Sequence, residues 1–552
     1  MQETNSDVFA LGLHRASAEI RPQKCHNVTM PQETQHASAT PPSPAPLRLR
    51  PGQLCVAIQA ATPVELMERA EAAARDSKFL EFRLDTVDLP AQAIGPLKEF
   101  LARHHGLIAV GTCRRLPGGG RFTGSVVQEL EILAAAAQAG CRIVDLEIET
   151  AEETTPVQLE RFRAAVHAAG ASLLVSSHDF SQTHHLALAA DRIAAFRPEF
   201  VKVVSTARTL SDNLEVLRLI RDRAVQSQIV GIAMGEEGLV SRVLGPREGA
   251  AFTFAAPDQG QVTAPGQVTV RTLRELYHID RIDKETRVFG VAGNPIGHSL
   301  SPLMHNAAYR AEGVNAVMFP LKVTALDDLL TLVEELPMAG VAVTMPLKQE
   351  VLPHLAQMDP LVERIGACNT LRVSADGKLY GFNTDVTGVV RPLERRLKLK
   401  GARVAVLGAG GAARAAVFGL AAEGAEVFVV NRTPATAEKL AAQAGTQALP
   451  MAELTRQHFD VLLNTTPCGM KGVEQQLPIE ENQLNAALVF DMVYNPLETP
   501  LLRLAAARGL ATIGGMEMFV QQGARQFEIW TGKAAPEAEM RRVVEQALQR
   551  RG

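Results

Sequence analysis

The chain has 552 residues, of which 46% are hydrophobic and 21% charged, and this length and composition predict a globular protein of more than two domains. Its net charge of −4 at pH 7 gives no electrostatic reason to expect nucleic acid or an anionic membrane as a partner. The longest apolar runs, such as residues 229–234, are far too short to span a bilayer.

Six scattered cysteines, without any CxxC pair, predict free thiols in a reducing cytoplasm and no metal site. Residues 1–50 are polar, with a proline-rich run at 40–46, and they contain no apolar segment of the kind found in secretory signals. We therefore predict a disordered tail over residues 1–50, with Met30 as an alternative start of the chain.

Eight apolar, β-rich runs follow, and most of the gaps between them hold a helical pattern rich in Ala, Leu, Glu and Arg. The runs are residues 54–59, 79–85, 107–114, 142–149, 172–178, 200–205, 229–235 and 251–256. Eight such βα units predict a (β/α)8 barrel over residues 52–270. An open doubly wound sheet is the alternative, but the eight strands and the lack of a phosphate-binding glycine loop in this half favour closure.

Charged side chains lie on several of these predicted strands, where a buried strand would be apolar. Glu81, Arg83 and Asp85 alternate and so share one face, as do Asp145 and Glu147. In a barrel of this class, chemistry occurs at the C-terminal ends of the strands. The carboxylates either form salt bridges inside the barrel or orient and charge a neighbouring histidine.

Lys202 and His178 are the strongest candidates for chemistry in this half. Lys202 has apolar neighbours on both sides, and burial there would favour a neutral, nucleophilic amine, although a lone strand lysine is usually a solvated edge residue. His178 ends the fifth predicted strand, where a purely structural histidine is the alternative. A buried lysine and a strand-end histidine together provide imine formation and proton transfer.

Six short segments carry a resemblance to a known family: residues 81–85, 145–147, 177–180, 201–203, 241–242 and 263–267. In this order they resemble type I 3-dehydroquinate dehydratase over about residues 54–270. The resemblance implies that Lys202 forms a Schiff base with the substrate ketone. It also implies that His178 removes a proton beside the iminium and helps to expel a hydroxyl as water. No cofactor is implied for this half.

The same resemblance implies a set of substrate contacts. They are Glu81, Arg83, Arg114, Asp145, Glu147, Arg242, Thr263 and Gln267, with Arg242 paired to the substrate carboxylate. The chain departs from the family in the loop after the third predicted strand. Many members have a glutamate before the glycines of that loop, and this chain has Gly118 there, so the role of that acid is unfilled or has moved.

The second half follows a charged linker predicted at residues 271–286. A β-like run enters a polar loop within residues 290–306, which holds Ser299 and Ser301 just before a predicted helix. Further apolar runs end in turns near Lys348 and Asp385. These two residues form either a surface salt bridge or a proton-transferring lysine beside an orienting aspartate.

A strand, glycine turn and helix at residues 403–423 provide the context required of a dinucleotide-binding fingerprint. The turn residues are Gly408, Ala409, Gly410, Gly411, Ala412 and Ala413. After the next predicted strand, where NAD enzymes place an acid, the chain has Asn431, Arg432 and Thr433, a pattern that favours NADP. The later candidates for this crevice are Thr465, Met492 and Gly515.

This half resembles shikimate dehydrogenase over about residues 287–550. The resemblance implies substrate contacts from Ser299, Ser301, Thr344, Asn369, Asp385, Tyr494 and Gln522. It further implies that Lys348 moves a proton at the reacting oxygen while NADPH gives hydride to the carbon, with Asp385 orienting both groups. Ala342 replaces an asparagine or serine that is common in the family, which slightly weakens the polar lining.

The two implied activities are successive steps, so the sequence predicts a cytoplasmic bifunctional enzyme of the shikimate pathway, which leads to chorismate and aromatic amino acids. Its predicted parts are a dehydratase barrel (52–270), a substrate-binding domain (287–390), a Rossmann NADP domain (391–515) and C-terminal helices (516–552). Its predicted partners are small-molecule substrates, without nucleic acid or membrane, and a homodimer stays open. The alternatives are a catabolic quinate/shikimate dehydrogenase, against which Arg432 argues, and a non-catalytic pathway sensor, against which the four catalytic candidates argue.

Overall fold

A computed structural model describes residues 47–49, 52–258 and 266–551. Almost all of the predicted tail, with Cys25 and Met30, lies outside the described residues, and so does Thr263. Among the described residues, no helix is both long enough and apolar enough to cross a lipid bilayer.

The first half folds as the predicted barrel. Its strands are β1 Leu54–Ile58, β2 Phe79–Arg83, β3 Ile108–Thr112, β4 Ile143–Glu147, β5 Ser172–His178, β6 Phe200–Thr206, β7 Gln228–Met234 and β8 Thr253–Ala255. All paired neighbours are parallel, in the order β7-β6-β5-β4-β3-β2-β1-β8. The pairing of β1 with both β2 and β8 brings the sheet round to near closure, so the barrel interpretation is confirmed and the open sheet is wrong.

Helices surround these strands, and polar caps fix where several of them begin. They are α1 Pro63–Asp76, α2 Ile94–Arg103, α3 Val126–Gln138, α4 Ile148–Glu153, α5 Pro156–Ala168, α6 Leu186–Ala194, α7 Asp212–Arg223 and α8 Leu239–Glu248. Ser125 and Thr155 each accept a hydrogen bond from the third residue of their helix within a capping box. The side chains of these helices pack on the outside of the strands in one apolar cluster, and a second cluster fills the barrel interior.

Several strands end earlier than predicted, and in β2 and β4 the earlier end changes the place of a charged residue. Strand β2 ends at Arg83, and Asp85 lies in a 3₁₀ turn, Leu84–Thr86, where its carboxylate reaches back to Arg83. Strand β4 ends at Glu147 because α4 begins at the next residue. The last strand residue is therefore the charged residue in both cases, at the edge of the barrel where chemistry occurs.

A π-helical turn, Thr272–Leu276, and a 3₁₀ turn, Ile279–Arg281, lead into the second half. Its first sheet contains β9 Arg287–Gly293, β10 Ala316–Lys322, β11 Met338–Val343, β12 Gln357–Met358, β13 Thr370–Val373 and β14 Leu379–Phe382. The strand order is β10-β9-β11-β13-β14-β12, with β13 antiparallel to its neighbours. The helices are α9 Ser301–Ala311, α10 Leu326–Glu335, α11 Pro360–Ile365 and α12 Asp385–Glu394.

The last sheet is fully parallel. It contains β15 Arg403–Leu407, β16 Glu426–Val430, β17 Gln447–Ala448, β18 Phe459–Asn464, β19 Ala486–Asp491 and β20 Ala511–Ile513. Its order, β17-β16-β15-β18-β19-β20, is the doubly wound dinucleotide-binding arrangement, with the switch point beside β15. The helices of this sheet are α13 Gly411–Ala422, α14 Pro434–Ala444 and α15 Pro500–Ala507.

The last two helices are α16 Gly515–Thr531 and α17 Glu537–Arg551. They return to the mixed sheet that contains β9 and β13. The indole of Trp530 donates a hydrogen bond to the carbonyl of Leu371 over 2.9 Å, and its ring packs against Phe289. Helix α16 also packs along α12. One side of the cleft between the two sheets is therefore formed by the end of the chain.

Candidate active sites

A buried cluster of charged side chains lies on β4, β5 and β6. The amine of Lys202 donates a hydrogen bond to Asp145 Oδ2 over 2.8 Å and lies 4.0 Å from Glu81 Oε1. The same amine is 4.3 Å from the centre of the Phe254 ring. Lys202 is only 4% exposed, as its apolar neighbours predict, but its surroundings are not simply apolar because carboxylates face the amine.

Glu147 and His178 form a second contact within this cluster. Glu147 Oε1 lies 2.9 Å from His178 Nδ1, so the carboxylate orients the ring. The expectation that carboxylates would charge the ring is wrong. Burial, together with the cations Arg114 and Lys202, holds the pKa of His178 well below its ordinary value.

Arg114 joins the two carboxylates of β4. Its guanidinium lies 2.7 Å from Glu147 Oε2 and 3.4 Å from Asp145 Oδ2. Burial raises the pKa of Glu147 to about 7, although Arg114 opposes this. Burial also acts against ionisation of Asp145, but Lys202 and Arg114 outweigh it and hold the pKa of Asp145 below its usual range. Two carboxylates on one strand thus differ widely in acidity.

Asp145 and Glu147 lie behind Lys202 and His178, outside the lining of the cavity at this end of the barrel. Both are almost fully buried, at 2% and 3% exposure, and their role as substrate contacts stays a prediction. The sequence showed that they share a face, but the depth of a side chain in a barrel depends on all the neighbouring strands.

The cavity itself has a volume of about 230 Å³. It brings together seven of the predicted residues: Glu81, Arg83, Arg114, His178, Lys202, Arg242 and Gln267. Arg83 is held by two hydrogen bonds to Asp85, of 2.9 and 2.8 Å, and Glu81 accepts one from Thr112. Burial lowers the pKa of Arg242 to about 10. The predicted contact Thr263 lies outside the described residues.

Sequence reasoning missed several lining residues, among them Gln59, Arg121 and Phe180. Phe180 stacks on the ring of His178, and its own place in the segment 177–180 was an available signal. Arg121 follows the glycine loop, and its backbone N–H donates to Asp85 Oδ2 over 3.2 Å. No pattern in the sequence distinguished this arginine from a solvated one.

Gly118 lies directly against Glu147. A Cβ atom added at Gly118 would come within 2.7 Å of Glu147 Cγ, far closer than side chains pack. The resemblance leads one to expect an acid at position 118. In this structure, Glu147 of β4 fills the space that a side chain at position 118 would need. The loop is anchored from outside by Arg115, which pairs with the buried Glu129 at 3.1 Å.

A second cavity, of about 380 Å³, lies between the mixed sheet and α16. It brings together all eight predicted residues of this region: Ser299, Ser301, Thr344, Lys348, Asn369, Asp385, Tyr494 and Gln522. The amine of Lys348 donates to Asp385 Oδ2 over 2.6 Å, and the amide of Asn369 donates to Asp385 Oδ1 over 2.9 Å. Both oxygens of this carboxylate are thereby fixed, and the lysine is held at the cavity wall.

Gln526 was missed by sequence reasoning. It lines this cavity one helical turn beyond Gln522, and its amide donates to Thr370 Oγ1 over 3.0 Å. Its carbonyl oxygen lies 3.2 Å from Nε2 of the buried His305. The spacing of four residues from Gln522 on one helix face was the available signal. Ala342, the departure from the family pattern, also lines the cavity.

The dinucleotide-type turn joins β15 to α13. Gly408 has φ of +110°, and an added Cβ there would meet Thr465 Oγ1 at 2.6 Å, so this position requires glycine. At Gly410 and Gly411 an added Cβ would meet no atom within 4 Å, which means that the backbone borders open space at the start of a 12-residue helix. This cradle fits a pyrophosphate. Ala409, Ala412 and Ala413 complete the turn.

The other predicted cofactor residues lie at strand ends of the same sheet. Asn431, Arg432 and Thr433 follow β16, where Arg432 is exposed and the Asn431 amide donates to the Thr433 carbonyl. Thr465 follows β18 and donates to the carbonyl of Leu407, while Met492 follows β19 and Gly515 begins α16. No group of three or more potential metal ligands occurs in the described parts of the chain.

A barrel with a buried lysine–histidine centre, followed by a reductase with a dinucleotide fold, defines a two-part enzyme. The family models agree with this division. Type I 3-dehydroquinase matches residues 54–284, and the shikimate dehydrogenase substrate binding domain matches 291–371. Shikimate / quinate 5-dehydrogenase matches residues 392–491, and the shikimate 5'-dehydrogenase C-terminal domain matches 515–545.

Individual relatives match over the same regions. The chloroplastic bifunctional 3-dehydroquinate dehydratase/shikimate dehydrogenase of Arabidopsis thaliana is 33% identical over 88% of this chain and 83% of its own length. Shikimate dehydrogenase (NADP(+)) of Methanosarcina acetivorans is 43% identical over 48% of this chain and 99% of its own. A solved structure, the dehydroquinate dehydratase and shikimate dehydrogenase from S. pombe AroM, is 25% identical, covers 89% of this chain and 98% of that chain, and has a TM-score of 0.43.

The chain belongs to the family of bifunctional 3-dehydroquinate dehydratase/shikimate dehydrogenases. It is accordingly a lyase joined to an oxidoreductase.

Proposed function

We propose that the barrel converts 3-dehydroquinate to 3-dehydroshikimate through a Schiff base on Lys202, and that the second half reduces this product to shikimate with NADPH. The observation that carries the proposal is the placement of Lys202 and His178 on the wall of one cavity and of Lys348 and Asp385 on the wall of another. Each pair provides the groups that its reaction requires.

In the dehydratase step, the amine of Lys202 attacks the ketone carbon, and loss of water from the resulting carbinolamine gives an iminium. The amine attacks in its neutral form, and a proton taken up by the carbinolamine oxygen leaves with it as water, so the iminium that forms is positively charged and stays paired with Asp145. This charge draws electrons from the neighbouring carbon, which makes its proton acidic. Asp145 therefore supports the nucleophile from behind.

His178 is the base for that proton. Glu147 accepts a hydrogen bond from Nδ1–H, which leaves Nε2 with a lone pair, and the depressed pKa of His178 keeps the ring neutral and ready to accept. The ring then gives the proton to the departing hydroxyl, which leaves as water. Glu147 is thus a positioning residue that fixes the tautomer of the histidine.

The remaining groups of this cavity hold the substrate. Arg242 is desolvated, and a substrate carboxylate would offset the cost of burying its charge. Glu81, Arg83 and Gln267 lie where they would bind hydroxyl groups, and Arg114 would line the pocket beside them. Thr263 stays a prediction, since it lies outside the described residues.

In the reductase half, a bound NADPH supplies hydride to the carbonyl carbon. Lys348 gives a proton to the carbonyl oxygen, while Asp385 holds the lysine and orients that oxygen. Ser299 and Ser301 would bind the substrate carboxylate, and Asn369 with the other polar residues of the cavity would bind the hydroxyls.

The glycine turn and the residues after β16 would hold the dinucleotide. The open backbone at Gly410 and Gly411 suits the pyrophosphate at the start of α13. Arg432 is an exposed cation at the position where an acid would bind a ribose hydroxyl, so it suits a 2′-phosphate, with Asn431 and Thr433 beside it. The relatives whose names specify NADP(+) support this choice.

We also propose the domain limits, compartment and assembly given by the sequence. The three sheets support division into residues 52–270, 287–390 and 391–515, with the linker at 271–286 and C-terminal helices over 516–552. Free, buried thiols at five described cysteines support a reducing cytoplasm, although the Arabidopsis relative is chloroplastic. Sedimentation of the purified chain tests the homodimer.

A coupled assay tests the two-step proposal. The full chain with 3-dehydroquinate and NADPH should consume NADPH and form shikimate. Lys202→Ala should fail from 3-dehydroquinate but work from 3-dehydroshikimate, and Lys348→Ala should form 3-dehydroshikimate without consuming NADPH. Loss of both activities in either variant would contradict the division of labour between the two cavities.

A further inference from the structure

We propose that Asp328, in the dehydrogenase half, is a positioning residue for the dehydratase site. This inference rests on the roles proposed for His178 and Arg242. It starts from a contact in which Asp328, in the first turn of α10, uses both carboxylate oxygens on the barrel. Oδ2 accepts from the backbone N–H of Leu210 over 2.7 Å, and Oδ1 accepts from that of Ser211 over 2.9 Å.

These two N–H groups lie at the start of α7, which follows the strand that carries Lys202. The first N–H groups of a helix have no partner within the helix and carry partial positive charge. Ser211 is the residue before α7, and its own side chain makes no capping bond. Asp328 therefore holds, from the other half of the chain, the two backbone N–H groups that directly precede this helix.

From this contact a chain of hydrogen bonds leads to Arg242. The buried amide of Asn213 donates to the carbonyls of Leu210 and Glu237, over 2.9 and 2.8 Å. Its oxygen accepts from the backbone N–H of Ser241 over 2.9 Å. Ser241 directly precedes Arg242, so the position of α7 sets the position of the guanidinium proposed to bind the substrate carboxylate.

A second chain leads toward His178. Thr206, at the end of β6, donates through its hydroxyl to the carbonyl of Asp179, and Arg208 donates to the carbonyl of Ser181. Arg208 also donates its backbone N–H to Asp212, the first residue of α7. The loop after His178 is thus fixed to the same helix start that Asp328 contacts.

Lys322 braces a neighbouring loop across the same boundary. Its amine lies 2.9 Å from Glu236 and 3.1 Å from Glu237, both in the turn between β7 and α8. The ordinary interpretation of such contacts is that they only hold the two halves together. The apolar cluster that both halves share already holds them together. Asp328 differs from these contacts because both of its carboxylate oxygens accept hydrogen bonds from backbone N–H groups. Those N–H groups lie one loop away from His178 and Arg242, the two proposed active-site residues.

The interface offers a matched control. Arg218 of α7 forms an ion pair with Glu335, the last residue of α10, so the same two helices meet a second time. That pair joins exposed side chains away from the strand-end loops. If Asp328 merely joins the halves, Arg218→Met and Asp328→Ala should behave alike.

Steady-state kinetics of both activities in the full chain test the proposal. Asp328→Ala should raise the dehydratase KM about three- to tenfold with a smaller change in kcat, because the Arg242 side of the pocket is loosened. Its reductase kinetics should stay within about twofold of the unaltered chain. Asp328→Asn, which keeps one acceptor oxygen, should recover part of the loss, and Arg218→Met should leave both activities unchanged.

Two results would overturn the proposal: unchanged dehydratase kinetics in Asp328→Ala, or equal losses in Asp328→Ala and Arg218→Met. A fall in thermal stability without the KM effect counts as the first result. Failure of the proposed dehydratase function is separate, since it would show as an inactive unaltered chain or as full activity in Lys202→Ala.

Discussion

Glu147 Oε1 lies 2.9 Å from Nδ1 of His178, a ring that lines the dehydratase cavity, and Glu147 is buried behind that ring. Burial shifts the pKa values of these two groups in opposite directions. It raises the pKa of the carboxyl to about 7 and holds the pKa of the imidazole well below its ordinary value. Both shifts disfavour charge, and the group that titrates near neutral pH is the glutamate.

The pH dependence of dehydration should therefore follow Glu147. Above a pH of about 7 the carboxylate accepts Nδ1–H and leaves Nε2 able to take a proton; below it the protonated acid no longer fixes that tautomer. We expect kcat/KM for 3-dehydroquinate to fall as the pH falls through this value. Glu147→Gln should lower kcat/KM about 10- to 100-fold and remove this acid limb. If the limb persists unchanged in Glu147→Gln, another group is responsible for it.

The Schiff base proposal predicts a covalent adduct. Borohydride added during turnover of 3-dehydroquinate should reduce the iminium to a stable secondary amine on Lys202, which peptide mass spectrometry would locate. Lys202→Ala should take up no adduct and lose dehydratase activity by on the order of 10⁴-fold. An active enzyme whose Lys202 peptide is unmodified after such treatment would exclude the imine route.

Sequence patterns predicted the barrel, the dinucleotide fold and the residue pairs that line the two cavities because these depend on local periodicity and on segments of a few residues. They did not predict the depth of Asp145 and Glu147 or the neutral state of His178. Both properties are sums over residues that are distant in the chain, since burial, together with Arg114 after β3 and Lys202 on β6, opposes the charge of a ring on β5. Arg121 was missed because nothing local separates it from an ordinary loop residue, whereas the four-residue spacing of Gln526 from Gln522 was a local signal that was not used.

Gly118 should tolerate no side chain, because a Cβ there would come within 2.7 Å of Glu147 Cγ. Gly118→Ala should displace this glutamate from His178 and lower the dehydratase kcat about tenfold, with the reductase unaffected. The control is Gly95→Ala in α2, where an added Cβ meets no atom within 4 Å. Wild-type kcat in Gly118→Ala would mean that Glu147 moves without consequence and does not position the histidine.

Arg432 should decide between the two nicotinamide cofactors. It is exposed after β16, and within the described part of the chain no acid follows that strand before α14 begins. Arg432→Ala should raise the KM for NADPH about tenfold, since it removes a charged partner of the 2′-phosphate, and should leave the KM for NADH nearly unchanged. Arg414, which donates to the carbonyl of Ile365 from the first turn of α13, provides the control: Arg414→Ala should not change the ratio of the two KM values. Equal effects of Arg432→Ala on both cofactors would show that this arginine does not contact the 2′-phosphate.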